Sequence, residues 1–338
     1  MRCYRIRASG LGVVEKKGDV WVKSSVRFDE AVAVAKLFLK HGNLGLIRDG
    51  NFLFGEICDG NVRGKRVDVL PDGTKLTKGF SLFAKNLRVH DERSCSHWDV
   101  LFENPSGSLT YVYGLDKVGI SKAKKFARVD DFERCLPRLR KNLMGAIGSD
   151  DLVLAMLVLL KTKMRVGSEV YYKKNHHKGL TTLKKKDLKI VGDKVRFDFV
   201  GKDGVPQVLE ERFSGKIVAE LEKILKKKKK EDFVFLNEKG GILRDTDFEF
   251  GFEKFCGIRF YPHIVRSHFA TRSVEEFLRK CEVGNVKSEV ARRFCLELAG
   301  KLGHKKFSKK RSEWEENFEV TLHYYVRPDL VERIRKLV

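Results

Sequence analysis

Residues 165–183 read RVGSEVYYKKNHHKGLTTL, and what this chain folds into turns on how that stretch is presented. Just upstream, Leu152 to Leu160 is an unbroken apolar run, too short to span a bilayer and long enough for a buried helix. Ser149-Asp150-Asp151 supplies its N-terminal cap, and it ends near Lys163, so Arg165 is expected on a turn or loop directly after a core helix. Downstream, Val195, Phe197 and Phe199 alternate with polar residues and run into Gly201-Lys202-Asp203-Gly204. Period-two alternation followed by a glycine-bracketed turn predicts a β-hairpin with Lys202 at its tip. The core helix and the hairpin would thus display an arginine and a lysine on either side of a lysine- and histidine-rich segment.

Beyond the hairpin, Ile217, Val218, Leu221, Ile224 and Leu225 form a helix face that runs into Lys226 to Lys230, read as a solvated helix end complementing the helix dipole. Thr246 to Glu249 offers a capping box for a further helix. Helices are expected around His263 to Arg279 and Val286 to Leu298, and Pro328 suits the first position of a last one. The first 125 residues look different. Short alternating runs are punctuated by turns such as Asp49-Gly50-Asn51, Asp59-Gly60-Asn61 and Pro71-Asp72-Gly73, with one amphipathic helix over Asp29 to Lys40. The stretch Ile120 to Arg128, carrying Lys122, Lys124, Lys125 and Arg128, serves as the linker candidate. The expected fold class is α+β: a strand-rich domain over 1–125 and a mainly α-helical domain with a small β-hairpin over 126–338.

Charge narrows the partner. Lys and Arg total 69 against 46 Asp and Glu, a formal net charge of +23. Residues 1–125 carry 22 basic and 14 acidic side chains, so both halves are basic and a polyanion is expected. Composition alone suits a ribosomal or RNA-binding protein equally well. The 7 cysteines include no C-x-x-C pair, which argues against a zinc site and a disulfide framework and for reduced thiols in a cytoplasmic setting. The arginines at positions 2, 5 and 7 precede no apolar h-region, so no secretory signal is expected, and no membrane association. Gly60 to Lys65 approaches a phosphate loop, but only three residues separate Gly60 from Gly64, and Arg66 stands where Ser or Thr is required. No H-E-x-x-H or paired-carboxylate motif occurs.

The order Arg165, V-G-x-E-x-Y, G-L-T-T-L and then a G-K hairpin resembles the type IB DNA topoisomerases of poxviruses and bacteria, whose catalytic fold is shared with tyrosine recombinases. The similarity covers about residues 97–338 and is strongest from Asp151 to Lys202. The resemblance implies a C-shaped clamp around double-stranded DNA, a monomer, and no metal, ATP or other cofactor. It further implies that Arg266 in PHIVRSHFAT and His304 in KLGH are the second arginine and the histidine of the active site. The family nucleophile stands three residues before a proline, which points from Pro328 to Tyr325, with Tyr324 as the adjacent competitor. Tyr171, Lys173, Lys174 and His263 are expected to contact DNA. His97-Trp98-Asp99 resembles the start of the DNA-facing sheet in bacterial members.

These residue types suit the implied reaction. A phosphodiester attacked by a tyrosine oxygen gains negative charge on its nonbridging oxygens, which Arg165 and Arg266 can meet as forks, with His304 as a further donor. The departing 5′ oxygen needs a proton, the role implied for Lys202. Joining the 3′ phosphate to Tyr325 conserves the bond for religation.

Three features depart from the pattern or compete with it. Twenty residues separate His304 from Tyr325, more than in the poxvirus and bacterial enzymes, so an inserted loop is expected, a candidate to brush rotating DNA. Residues 1–96 match no nameable pattern. His263-x-x-Arg266 followed by Phe269-Ala270-Thr271 resembles an integrase box, so a tyrosine recombinase is the alternative; a catalytically silent nucleic-acid-binding protein would need a broken catalytic position, and none is evident.

Overall fold

The computed structural model describes residues 2–90, 98–281 and 287–338. The chain divides into two compact units, Met1–Lys124 and Lys125–Val338.

The first unit is built from short antiparallel strands. Its main sheet has five strands in the order Val20–Lys23, Val13–Lys17, Cys3–Ile6, Glu56–Cys58, Asn61–Arg63. A second sheet joins Lys85–Val89, Val100–Glu103 and Leu109–Val112. Helix α1 (Asp29–Lys40) follows from its 3.6-residue apolar spacing: Ala31, Val34, Ala35 and Phe38 are buried. They pack with Ile6, Ile47, Leu53, Phe80 and Val100 in one core.

One cysteine expectation is overturned here. Cys3 and Cys58 are register partners on neighbouring strands, with Cα atoms 4.1 Å apart, and they form a disulfide. The pairing of strands 55 residues apart brings them together, and no local spacing announces it. Cys135, Cys256, Cys281 and Cys295 are free thiols. His97 lies outside the described residues. Its neighbour Asp99 accepts from the Gly114 amide and pairs with Lys117 Nζ at 2.9 Å.

The proposed linker is helical. Residues 120–128 belong to helix α2 (Leu115–Gly145), whose Phe126, Val129, Phe132, Leu136 and Leu139 are buried. Lysines on its exposed side mask the start of this apolar stripe in the sequence.

In the second unit α3 (Asp151–Thr162) is the central core helix, buried almost all round, as its apolar composition requires. Asp150 caps it by accepting from the Val153 amide at 2.9 Å. After the short α4 (Glu169–Asn175) comes a three-stranded antiparallel sheet of Leu188–Val191, Lys194–Val200 and Pro206–Arg212, larger than the expected hairpin. Its extra strand is disguised by the run KKKDLKIV, in which Leu188 and Ile190 alternate with lysines. Helices α5 (Gly215–Lys226), α6 (Asp245–Cys256), α7 (Ile264–Cys281) and α8 (Ser288–Lys301) follow. Helix α6 begins before the expected box: Asp247 closes its first turn by accepting from the Arg244 amide. The segment after His304 is a β-hairpin, Lys305–Ser308 with Glu313–Glu316, where a loop was expected. Helices α9 (Glu319–Tyr325) and α10 (Pro328–Arg335) close the chain, packed with α7 in a separate core of Ala270, Val274, Leu322 and Leu330.

Candidate active site

The motif at 165–183 folds into a backbone clasp. Leu180 and Thr181 amides donate to the carbonyls of Arg165 and Val166, each at 2.8 Å, and Thr181 Oγ1 also donates to Val166. Thr182 Oγ1 accepts from the Gly179 amide at 2.9 Å, folding the G-L-T-T turn on itself. The two strands of the clasp approach so closely that a Cβ on Gly179 would lie 2.6 Å from the Arg165 oxygen and from Gly167 Cα. Glycine is thus required at 179, and the opposing Gly167 has φ +99°. The motif's length has a cause: two threonines and two glycines satisfy and compress the backbone that carries Arg165.

Arg165 leaves this clasp half-buried, and its Nη1 lies 3.2 Å from His263 Nε2. Guanidinium can only donate, so that histidine nitrogen accepts and the ring is neutral. Burial, with Arg165 second, pushes His263 down to about 3. Its ring is nearly parallel to those of Tyr261 and Tyr325, at centroid distances of 5.3 and 6.4 Å.

Arg266, in the first turn of α7, is only 2% exposed. Nη1 donates to the Lys163 carbonyl at 2.6 Å, and Nη2 to the Leu302 carbonyl at 2.7 Å and to His304 Nε2 at 3.0 Å. Among the described residues its Nε finds no hydrogen-bond partner. Burial pushes the guanidinium down to about 10, which leaves it cationic at neutral pH. His304 Nδ1 lies 2.7 Å from Thr321 Oγ1, and burial followed by the nearby Arg266 holds the imidazole down at about 3.

Tyr325, the last residue of α9, is 5% exposed, whereas Tyr324 is 57% exposed. The Tyr325 ring centroid lies 5.0 Å from that of His304, with the Arg266 guanidinium 5.1 Å and Lys125 Nζ 5.3 Å from it. Thr271 on α7 donates to the Tyr325 carbonyl at 3.1 Å, and Lys125 Nζ donates to that of Tyr324. Arg165, Lys202, Arg266 and His304 line one cleft, and Tyr325 packs beside it against His304 and Arg266.

Lys202 is exposed at the turn between Lys194–Val200 and Pro206–Arg212. The hairpin after His304 reaches this turn: a Cβ on Gly204 would lie 3.9 Å from Trp314. Tyr171 and His263 line an adjoining cleft that also includes Arg165 and Lys202. Lys173 and Lys174 stand apart, exposed on α4, with Lys173 paired to Glu169 at 2.7 Å. Among the described residues no cluster of His, Cys, Asp and Glu could hold a metal ion. Sequence reasoning missed Lys125, Thr321, Tyr261 and Gln207; none sits in a motif, and only tertiary packing brings Gln207 to the cleft, Tyr261 to the adjoining one, Lys125 to Tyr325 and Thr321 to His304.

Residues 117–317 match the family model described as eukaryotic DNA topoisomerase I, catalytic core, which is more than half of the chain. The DNA topoisomerase 1B of Acanthamoeba polyphaga mimivirus is 31% identical over 104 residues, 29% of this chain and 31% of that protein. The DNA topoisomerase 1B of Vaccinia virus (strain Copenhagen) is 28% identical over 208 residues, 59% of this chain and 63% of that protein. The chain therefore spans less than two thirds of the length of either relative. Among solved structures, the XerH site-specific recombinase bound to palindromic difH substrate is 18% identical, with a TM-score of 0.36 over 60% of this chain and 51% of that one, an overlap too slight to bear on the site.

Proposed function

The chain belongs to the type IB DNA topoisomerase family, and from that premise we propose that it relaxes positive and negative supercoils by cutting and resealing one strand of duplex DNA. The observation that carries the proposal is the convergence of Arg165, Lys202, Arg266 and His304 on one cleft with Tyr325 beside it.

Tyr325 gives up its phenolic proton to solvent and attacks the scissile phosphorus, the bond to the 5′ oxygen breaks, and a 3′-phosphotyrosyl link remains. Its enclosure, against the exposure of Tyr324, supports its choice as nucleophile. Arg165 and Arg266 stabilise charge building on the nonbridging oxygens, and Arg266 Nε, without a partner among the described residues, is a donor available for that purpose. His304 adds a donor from Nε2 once its proton moves there. Thr321 permits this, because a hydroxyl can accept from Nδ1–H or donate to bare Nδ1. Lys202 protonates the departing oxygen. Rotation of the freed end is driven by torque, and reversal of the steps reseals the strand, so neither ATP nor metal enters.

The remaining parts belong to the same proposal. Residues 1–125 grip duplex DNA with the catalytic 126–338 region as a clamp, through backbone contacts suited to their basic excess. Tyr171, Lys173, Lys174 and His263 contact DNA near the cut, and the protein works as a monomer on DNA. No helix among the described residues is long and apolar enough to cross a membrane.

Plasmid relaxation in EDTA without ATP tests this. The wild type should relax both signs of supercoil, Tyr324→Phe should remain active, and Tyr325→Phe should be inert and form no covalent adduct. An active Tyr325→Phe would refute the assignment of the nucleophile. Failure to relax either sign, with strand exchange between paired sites, would make the enzyme a recombinase.

A further inference from the structure

Gln207 occupies a slot between the two segments that carry the acid and the histidine. It lies on the strand Pro206–Arg212, opposite Phe199 and just past the Lys202 turn. Its Nε2 donates to the Gly303 carbonyl at 3.2 Å. A Cβ on Gly303 would fall 2.0 Å from Gln207 Oε1 and 2.6 Å from Cδ, and a Cβ on Gly201 would fall 3.0 Å from Cγ. Gly201 directly precedes Lys202 and Gly303 directly precedes His304, so both residues that lack a side chain leave their space to this one amide. Gly303 also has φ +66°, where side chains are strained.

We propose that Gln207 is a positioning residue that ties the Lys202 turn to the His304 segment, and that proton delivery to the leaving 5′ oxygen depends on this tie. The inference rests on the reading of Lys202 as the general acid. In that step the P–O5′ bond breaks, its electron pair stays on oxygen, and the Lys202 ammonium supplies the proton and becomes a neutral amine. A general acid works only within about 3 Å of its acceptor. Lys202 is exposed on a short turn, and displacement of catalytic groups by about 1 Å can cost 100-fold in rate. Tying that turn to the backbone next to His304 holds the acid at a fixed distance from the oxyanion donors, so both ends of the reacting phosphate are met at once.

The test compares single-turnover cleavage of two DNA substrates, one with the natural bridging 5′ oxygen and one with sulfur in its place. A thiolate is a far better leaving group than an alkoxide and needs no proton, so sulfur bypasses the acid. Gln207→Met fills the slot without an amide donor. It should cleave the oxygen substrate about 10- to 100-fold more slowly than wild type and the sulfur substrate within about threefold, as Lys202→Ala should. If Lys202→Ala recovers on sulfur while Gln207→Met is equally slow on both substrates, Gln207 merely supports the fold and the inference is overturned. An unchanged rate on the oxygen substrate overturns it as well. If Lys202→Ala fails to recover on sulfur, the general-acid reading itself falls and takes the inference with it.

Discussion

Arg266 donates to His304 Nε2 at 3.0 Å, with both side chains buried. The nitrogen expected to meet the phosphate is therefore an acceptor in the DNA-free protein, and His304 must reverse its tautomer before it can donate. Thr321, 2.7 Å from Nδ1, is the group through which that reversal is satisfied.

Removing the Thr321 hydroxyl should therefore slow catalysis through a residue that never touches DNA. Thr321→Val leaves a buried Nδ1–H unpartnered, at a cost of about 1–3 kcal/mol in stability. Single-turnover cleavage should fall about 10-fold, against about 100-fold for His304→Ala. Thr321→Ser should restore most of the rate, and a valine enzyme as fast as wild type would remove Thr321 from the mechanism.

The same burial sets an acid limit. In the unfolded chain a histidine takes up a proton near its usual 6.5, whereas folded His304 does so only near 3. The unfolded state thus binds more protons between those values, so stability present above about 6.5 is lost as pH falls toward about 3, at roughly 1.4 kcal/mol per pH unit for this residue. Denaturant unfolding at pH 7 and pH 5 should show the loss, and His304→Gln should make it shallower, leaving the share of His263, which burial also holds near 3. Equal slopes for the two proteins would place the acid sensitivity elsewhere.

Gly179→Ala should damage Arg165 from a distance. Its Cβ would meet backbone atoms of Arg165 and Gly167 at 2.6 Å, and backbone cannot rotate aside as a side chain can. A loss of about 1–3 kcal/mol in stability should accompany a fall in cleavage comparable to that of Arg165→Ala, measured on the folded fraction. Retention of full activity would mean the clasp does not position the arginine.

The hairpin after His304 turns through Lys309 and Lys310, both basic. If it brushes rotating DNA, Lys309→Ala with Lys310→Ala should speed or slow relaxation and lower the salt slope of DNA binding by about 0.9 for each phosphate that is no longer neutralised. Unchanged relaxation and an unchanged slope would rule out an encounter between this turn and the DNA.

The Cys3–Cys58 bond closes a 55-residue separation in the first unit. Reductant should lower that unit's unfolding free energy by about 2–4 kcal/mol, read as an earlier melting transition. Cleavage by the second unit's residues should persist under the same conditions.

Much of this protein was legible in the chain alone. Periodicity sufficed for α1, α3 and α7, because a one-sided or all-round apolar face reports directly on burial. The order Arg165, Lys202, Arg266, His304, Tyr325 was proposed from a family resemblance that is strongest around Arg165 and weaker at Arg266, whose surroundings resemble an integrase box. Local sequence could not reveal the Cys3–Cys58 bond, the third strand of the Lys202 sheet, or the helical nature of residues 120–128, where lysines on the solvent side masked buried partners. Nor could it reveal that Thr321, Lys125 and Gln207 belong with the cleft. Those relationships join segments distant in sequence and are set by strand register and helix packing. A residue chosen for the neighbour it meets in space leaves no periodic mark where it stands in the chain.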